Sequence, residues 1–243
     1  PHQVLLHLNV QILKGDSQSV SVRAQAFVDE YPVAEADLLL AIETGAAYID
    51  EKAIVDPAAQ IGSGTTIGPY AIIGPNVKIG ARCQIGASAV IDGLTEIGDE
   101  TIVYPMVSIG LAPQDLKYQG GLTRLTIGRQ NTFREFTTVN RGTEGGGGHT
   151  QIGDNNLFMA NVHIAHDCEV GNNVILGNGA TLGGHVSVGD FSTVSAYSGV
   201  HQFCRIGRHA FVGGYSVVTK DALPFAKSVG NRSRIYGLNT IGL

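Results

Sequence analysis

From Ile49 onward an aliphatic residue recurs at every sixth position: Ile49, Val55, Ile61, Ile67, Ile73, Ile79, Ile85, Ile91, Ile97, Val103 and Ile109. Small or polar residues, often glycine, stand between them. The register resumes at Ile127, Phe133 and Val139. After a shift it runs again from Ile152 through Phe158, Ile164, Val170, Leu176, Leu182, Val188, Val194, Val200, Ile206 and Val212 to Val218. A period of six is neither the 3.6 of a helix nor the alternation of a long strand. It requires a short strand and a corner, repeated, so the pattern predicts an all-β chain of hexapeptide repeats wound as a parallel β-helix. Three hexads make one coil, with the aliphatic positions pointing inward and the backbone bonding to coils about 4.8 Å above and below. About 26 hexads give roughly eight to nine coils, a prism on the order of 40 Å long.

Two segments break the register, residues 110–126 (GLAPQDLKYQGGLTRLT) and 141–151 (RGTEGGGGHTQ). They must leave the prism as loops, and loops on rigid scaffolds often carry function. The run Gly145 to Gly148 is followed by neither Lys-Ser nor Lys-Thr and opens no helix, so it reads as a flexible loop and not a phosphate cradle. Residues 1–45 contain no hexads. The alternation in HQVLLHLNVQILKG and SVSVRAQAFVDEYPVAEADLLLAI predicts a strand pair joined by a turn, a segment separate from the coil that occupies 46–243.

Composition sharpens this picture. There are 33 glycines and no tryptophan, as suits many tight corners, and 43% hydrophobic content is too high for a disordered chain. No apolar run approaches the roughly 18 residues that span a bilayer, and the first residues lack a signal-peptide pattern, so a cytoplasmic protein is expected. A net charge of −5 argues against generic nucleic-acid binding. The charge is uneven, however: His201 to Leu243 holds six basic residues and one acidic residue. That stretch is either a docking face for an acidic protein or simply a solvated basic face. Cys83, Cys168 and Cys204 form no CxxC pair, and each falls four residues after an inward aliphatic. They are expected to be reduced, buried core fillers.

Because a coil spans 18 residues, positions 18 apart share a column. His166, Gly184 and Gln202 form one column, and Asp167, His185 and Phe203 form the next. His163 and His201 lie close by. A β-helix interior favours aliphatics, so this polar group belongs on an outer face or between subunits. Histidine is suited to general-base work near neutral pH, and a carboxylate beside it can hold the useful tautomer. Gly184 would let a backbone N–H approach a developing oxyanion. Two other readings stay open from spacing alone: exposed polar turn residues, or a zinc site built from histidines of two subunits.

The motifs QDLKY (114–118), NRGT (140–143), NVHIAHDCEVGN (161–172), GGHVSVGD (183–190) and VHQFCRIG (200–207) resemble those of the UDP-N-acetylglucosamine O-acyltransferases of lipid A biosynthesis. The resemblance implies that the β-helix is left-handed, and a homotrimer is expected because a prism with a polar histidine cluster on one face needs a neighbour to close a cleft. It implies transfer of a 3-hydroxyacyl chain from acyl carrier protein to the sugar 3-hydroxyl of UDP-N-acetylglucosamine, without metal or other cofactor. It makes His166 the general base, Asp167 its orienting partner and the Gly184 N–H the oxyanion donor. Asp115, Lys117, His163, His185, His201, Gln202, Gly214 and Asn239 would be substrate-binding, with Gly214 at the position that limits acyl-chain length. Family members continue past this point into a helical domain, so that domain is expected to be missing at Leu243, and Ile241 stands where some members carry glutamate. Residues 1–45 resemble the last strands of a hot-dog 3-hydroxyacyl-carrier-protein dehydratase. The alternatives are the N-acyltransferase acting later on UDP-3-O-acylglucosamine, a metal lyase of the γ-carbonic anhydrase type, and a β-helix without activity.

Overall fold

A computed structural model describes residues 6–15, 19–28, 30–41, 45–240 and 242; Ile241 lies outside the described residues. The chain separates into two compact units, Pro1–Ala46 and Ala47–Leu243.

In the first unit, β1 (Leu6–Gly15), β2 (Ser19–Val28) and β3 (Tyr31–Ala41) form an antiparallel sheet in that order. Three strands replace the expected pair. The second sequence run folds back at Glu30, and its alternation continues across the turn, so periodicity alone hides the break. One face carries Leu8, Val10 and Ile12 opposite Ala26, Ala24 and Val22. On the other, Arg23 pairs with Asp37 at 2.7 Å and Glu35 at 3.2 Å.

The second unit is a left-handed parallel β-helix. Two-residue strands stack into three sheets that run the length of the coil. One sheet passes from Ile54–Val55 through His163–Ile164 to Val217–Val218, and its neighbour from Gln60–Ile61 through Glu169–Val170 to Arg205–Ile206. The hexad aliphatics are the core: Ile67, Ile91, Ile109, Phe133, Phe158, Ile164, Leu176, Leu182 and Val194 are all without solvent exposure. Cys83, Cys168 and Cys204 are buried and free. Burial pushes the Cys168 thiol up to about 12.

Corners explain the glycine and the order of the polar residues. At most of them, the third residue after the inward aliphatic takes a left-handed backbone, as at Tyr70 (φ 61), Asp167 (φ 58), His185 (φ 62) and Phe203 (φ 66). Side chains adopt that region at a cost. Most such N–H groups bond between coils, His185 N donating to His166 O at 3.1 Å and Phe203 N to Gly184 O at 3.1 Å. The residue just before it is often proline, as at Pro69, Pro105 and Pro224. Its N–H therefore has no place in the ladder and faces outward.

The two excursions are shorter than the broken register implied. Arg124–Ile127 is a four-residue rung paired with Leu94–Ile97 on one side and with His149–Ile152 on the other, so residues 124–126 and 149–151 are strand and not loop. Alternation along these longer rungs turns a second residue inward, and Thr95, Leu125 and Thr150 are accordingly fully buried. Among the described residues the one helical turn is a 3-10 turn at Glu144–Gly146.

Candidate active site

His166 and Asp167 occupy the corner between His163–Ile164 and Glu169–Val170. His166 Nδ1 lies 2.8 Å from Asp167 Oδ2. Thr143 reaches the same carboxylate twice, its N–H donating to Oδ1 at 3.0 Å and its hydroxyl to Oδ2 at 2.6 Å. Asp167 N donates to Thr150 Oγ1 at 2.8 Å. Burial pushes the Asp167 carboxyl up, but the bonds from the Thr143 hydroxyl, His166 and the Thr143 N–H, with His185 nearby, outweigh it and hold it below the ordinary carboxylate range. An ionised carboxylate only accepts, so His166 Nδ1 must carry the proton and Nε2 is left with its lone pair free.

Gly184 lies directly above His166. A β-carbon there would sit 2.6 Å from His166 Cε1 and 2.8 Å from Nε2. Its N–H, at the outward corner position where proline stands elsewhere, donates to no protein acceptor among the described residues. A basic nitrogen and a free N–H thus flank one small volume. His185 meets His166 edge-on at 5.2 Å between ring centroids and stacks on Phe203 at 4.5 Å with planes 7° apart. His163 Nδ1 is 2.7 Å from Thr138 Oγ1, and burial, together with the charge of His166, lowers its pKa.

His201 and Gln202 follow one coil further along the same corner, both exposed, beside an open groove of about 370 Å³ that also touches Thr181, Gly183, Gly199, Val200 and Val217. Asp115 and Lys117 belong to the first excursion. Asp115 Oδ1 accepts the Lys117 N–H at 2.9 Å, and the lysine side chain is exposed. The excursion is tied to the corner by Arg141, which donates to Gly110 O at 2.8 Å and to Tyr118 Oη at 2.9 Å.

Two residues stand apart. Gly214 is at a different corner, between Phe211–Val212 and Val217–Val218, with Ala196 O 3.4 Å from where its β-carbon would be. Asn239 is buried and donates its amide to His209 O at 2.8 Å. Within one chain neither joins the His166 cluster.

Two expectations change here. His166 is on an outer turn but is not exposed, its side chain being only 15% accessible. One residue of the glycine run, Gly146, packs down onto the site, where any β-carbon would overlap Asp167 Oδ2, and just before the run a β-carbon on Gly142 would overlap His149 N. Thr143, Arg141 and Tyr118 had no assigned role in the sequence. Thr143 escaped because the second excursion offsets the register, so that Thr138 pairs with His163 and not with a residue 18 positions on.

His166, Asp167 and His185 also offer three donor atoms within 4.8 Å of one another. Asp167 Oδ2 already accepts from Thr143 and His166, however, and His166 Nδ1 is the donor of that bond. Recruiting Asp167 Oδ2 as a ligand would compete with the hydrogen bonds it accepts, whereas His166 Nε2 is open, so the carboxylate is placed to orient the imidazole and not to ligate.

Comparison with known proteins agrees. The family model for bacterial transferase hexapeptide repeats (six repeats) matches residues 58–93 and 149–184. A UDP-N-acetylglucosamine O-acyltransferase of Paracoccus denitrificans is 52% identical over 142 residues, covering 58% of this chain and 54% of that protein. The chain spans little more than half the length of the curated relatives it matches. Among solved structures, UDP-N-acetylglucosamine acyltransferase from Campylobacter jejuni superposes with a TM-score of 0.78 at 42% identity, covering 80% of this chain and 76% of that one. The O-acyltransferase from Moraxella catarrhalis gives 0.78 at 43% identity, with 80% and 76% covered. On that extent of shared sequence and fold, the chain belongs to the UDP-N-acetylglucosamine acyltransferase family of hexapeptide-repeat proteins.

Proposed function

We propose that the chain transfers a 3-hydroxyacyl group from acyl carrier protein to the 3-hydroxyl of UDP-N-acetylglucosamine, the first step of lipid A synthesis. One observation carries the reading: a histidine held by a buried carboxylate, with its free Nε2 facing a glycine whose N–H is unused. His166 Nε2 takes the proton of the sugar hydroxyl, and the oxygen attacks the thioester carbonyl. The Gly184 N–H receives the charge that develops on the carbonyl oxygen. Collapse expels the carrier thiolate, which recovers the proton from His166. Asp167 keeps the imidazole oriented and stabilises the transient imidazolium.

His163, His185, His201 and Gln202 line the approach to this corner, and Asp115 and Lys117 bring the first excursion to the sugar nucleotide. Gly214 and Asn239 reach substrate only if another copy supplies their corners. That requirement and the exposed His201 and Gln202 support a homotrimer with clefts between prisms. The basic stretch after His201 suits an acidic carrier protein, and such a reaction belongs in the cytoplasm. The N-terminal sheet, three antiparallel strands of about ten residues, fits the end of a hot-dog dehydratase without its acid or base. It is not expected to dehydrate 3-hydroxyacyl carrier protein.

The deciding experiment is a transfer assay with UDP-N-acetylglucosamine and 3-hydroxyacyl carrier proteins of several chain lengths. Formation of the 3-O-acyl sugar nucleotide supports the reading. Acylation only of a 2-amino sugar nucleotide would replace it with N-acyl transfer, and a sedimenting monomer at micromolar concentration would remove the trimer.

A further inference from the structure

Asp167 is held from the side opposite His166 by a residue outside the repeat, Thr143. Its hydroxyl bonds Oδ2 at 2.6 Å, and its N–H lies 3.0 Å from Oδ1 and 3.2 Å from Oδ2. The Asp167 side chain is 2% accessible. We infer that Thr143 is the positioning residue of the general base, clamping both carboxylate oxygens so that Oδ2 stays ionised and aimed at His166 Nδ1. The inference rests on the reading of His166 as the base.

The terminal torsion of an aspartate is broad, so one bond to an imidazole does not fix the plane of the carboxylate. Two donors from a single residue, one on each oxygen, do. A hydroxyl bonding a buried carboxylate is charge-assisted and short, as found here. It also opposes the burial that would otherwise favour a protonated Asp167, which would be able to donate to His166 and let the imidazole present the wrong tautomer.

Loop closure does not explain this hydroxyl. The turn from Thr143 to Gly148 is closed through the Thr143 carbonyl, which accepts from Gly146 N at 3.1 Å and Gly148 N at 2.8 Å. The hydroxyl takes no part in that turn. The loop is placed by other means, Gly142 and Gly146 allowing close approach, with Gly142 N donating to Arg124 O at 3.2 Å and Gly148 O accepting from Arg124 N at 2.9 Å. The titratable groups around Asp167 are His166, His185 with Nε2 3.8 Å from Oδ2, and His163 on the strand leading into the corner. On the loop itself, Glu144 bonds the Gly121 N–H and His149 engages Thr126.

The test compares Thr143→Val, which keeps shape and removes the hydroxyl, with Thr143→Ser, which keeps the hydroxyl. In full-length protein with labelled histidine, NMR reads the tautomer and titration of His166 directly, without substrate. Wild type and Thr143→Ser should hold the Nδ1–H form. In Thr143→Val the carboxylate loses the donor that opposes its protonation, so the His166–Asp167 pair should hold its shared proton to higher pH and the tautomers should mix. In the transfer assay Thr143→Val should lower kcat by about 10- to 100-fold, the worth of one hydrogen bond to a charged group. KM should stay within about twofold, the acid limb of the pH profile should move upward, and serine should restore the wild-type profile. A wild-type His166 titration in Thr143→Val, or a serine variant that behaves like valine, would overturn the inference. A wild-type protein that lacks transfer activity but shows the expected titration changes would sink the functional reading and leave the clamp standing.

Discussion

Gly184 and His166 lie so close that a methyl group on the glycine would stand 2.6 Å from the imidazole Cε1 and 2.8 Å from Nε2. The corner backbone at Gly184 is not in the left-handed region that penalises side chains, so the conflict lies with the ring alone. Gly184→Ala should therefore fold with a melting temperature within a few degrees of wild type while swinging the imidazole off Asp167. Loss of transfer by at least about 10²-fold is expected, the scale of losing an oxyanion donor or a base. Calorimetry and steady-state assays on the same preparation check it, and unaltered turnover would place the reacting atoms elsewhere.

His166→Ala should lower transfer by about 10² to 10⁴. Because the ring is 15% accessible and packs edge-on against His185, its removal should also cost up to about 1 kcal/mol. That is more than an exposed turn residue would cost and far less than a rung of the aliphatic ladder. Metal analysis of the wild type separates the rival reading: stoichiometric zinc, with chelation reproducing the mutant, would make His166 a ligand.

The ladder was legible because its cause is local. The buried hexad aliphatics from Ile67 to Val218 follow from a period of six, and the columns His166, Gly184, Gln202 and Asp167, His185, Phe203 follow from three hexads per coil. What failed was whatever an excursion displaced. Thr143 contacts Asp167 across 24 residues, a spacing that belongs to no coil. Arg124 to Thr126 and His149 to Gln151 read as loop because their hexads were interrupted, although cross-coil hydrogen bonds place them in strands. The fold at Glu30 was hidden for a simpler reason, since both strands it joins alternate in the same phase.

Stability should fall with acid in two stages whose signs follow from the shifts. Burial lowers the pKa of His163, so the unfolded chain binds a proton that the folded chain resists. The stability contributed by neutral His163 is complete above the ordinary histidine value of about 6.5 and is lost as pH falls through the lower folded value. His149, depressed by burial and by Arg124, adds in the same direction. Asp167 is likewise depressed, so its contribution persists to lower pH and disappears below about 4. Melting temperatures measured from pH 7.5 down to about 2 should show both declines. His163→Gln should flatten the upper one, and Asp167→Asn the lower, and an unchanged upper decline in His163→Gln would assign it to His149 or another histidine.

Arg141 offers a way to separate binding from chemistry. Its guanidinium bridges Gly110 O and Tyr118 Oη, and Tyr118 Oη in turn donates to Gly121 O at 3.0 Å, so one side chain pins both ends of the QDLKY excursion. Lysine at this position keeps the charge but cannot make the forked contact. The dyad itself does not depend on the guanidinium, since Asp167 is held through Thr143 and Thr150. Arg141→Lys should therefore loosen Asp115 and Lys117 and leave His166 in place. KM for the sugar nucleotide should rise by about 5- to 50-fold, as loss of one or two hydrogen bonds to a charged donor implies, with kcat within about threefold. Steady-state kinetics with the sugar nucleotide varied at saturating acyl carrier protein reads both parameters. A fall in kcat with constant KM would mean that the excursion acts on the dyad and not on substrate, because only an interaction made in the transition state lowers turnover without weakening binding.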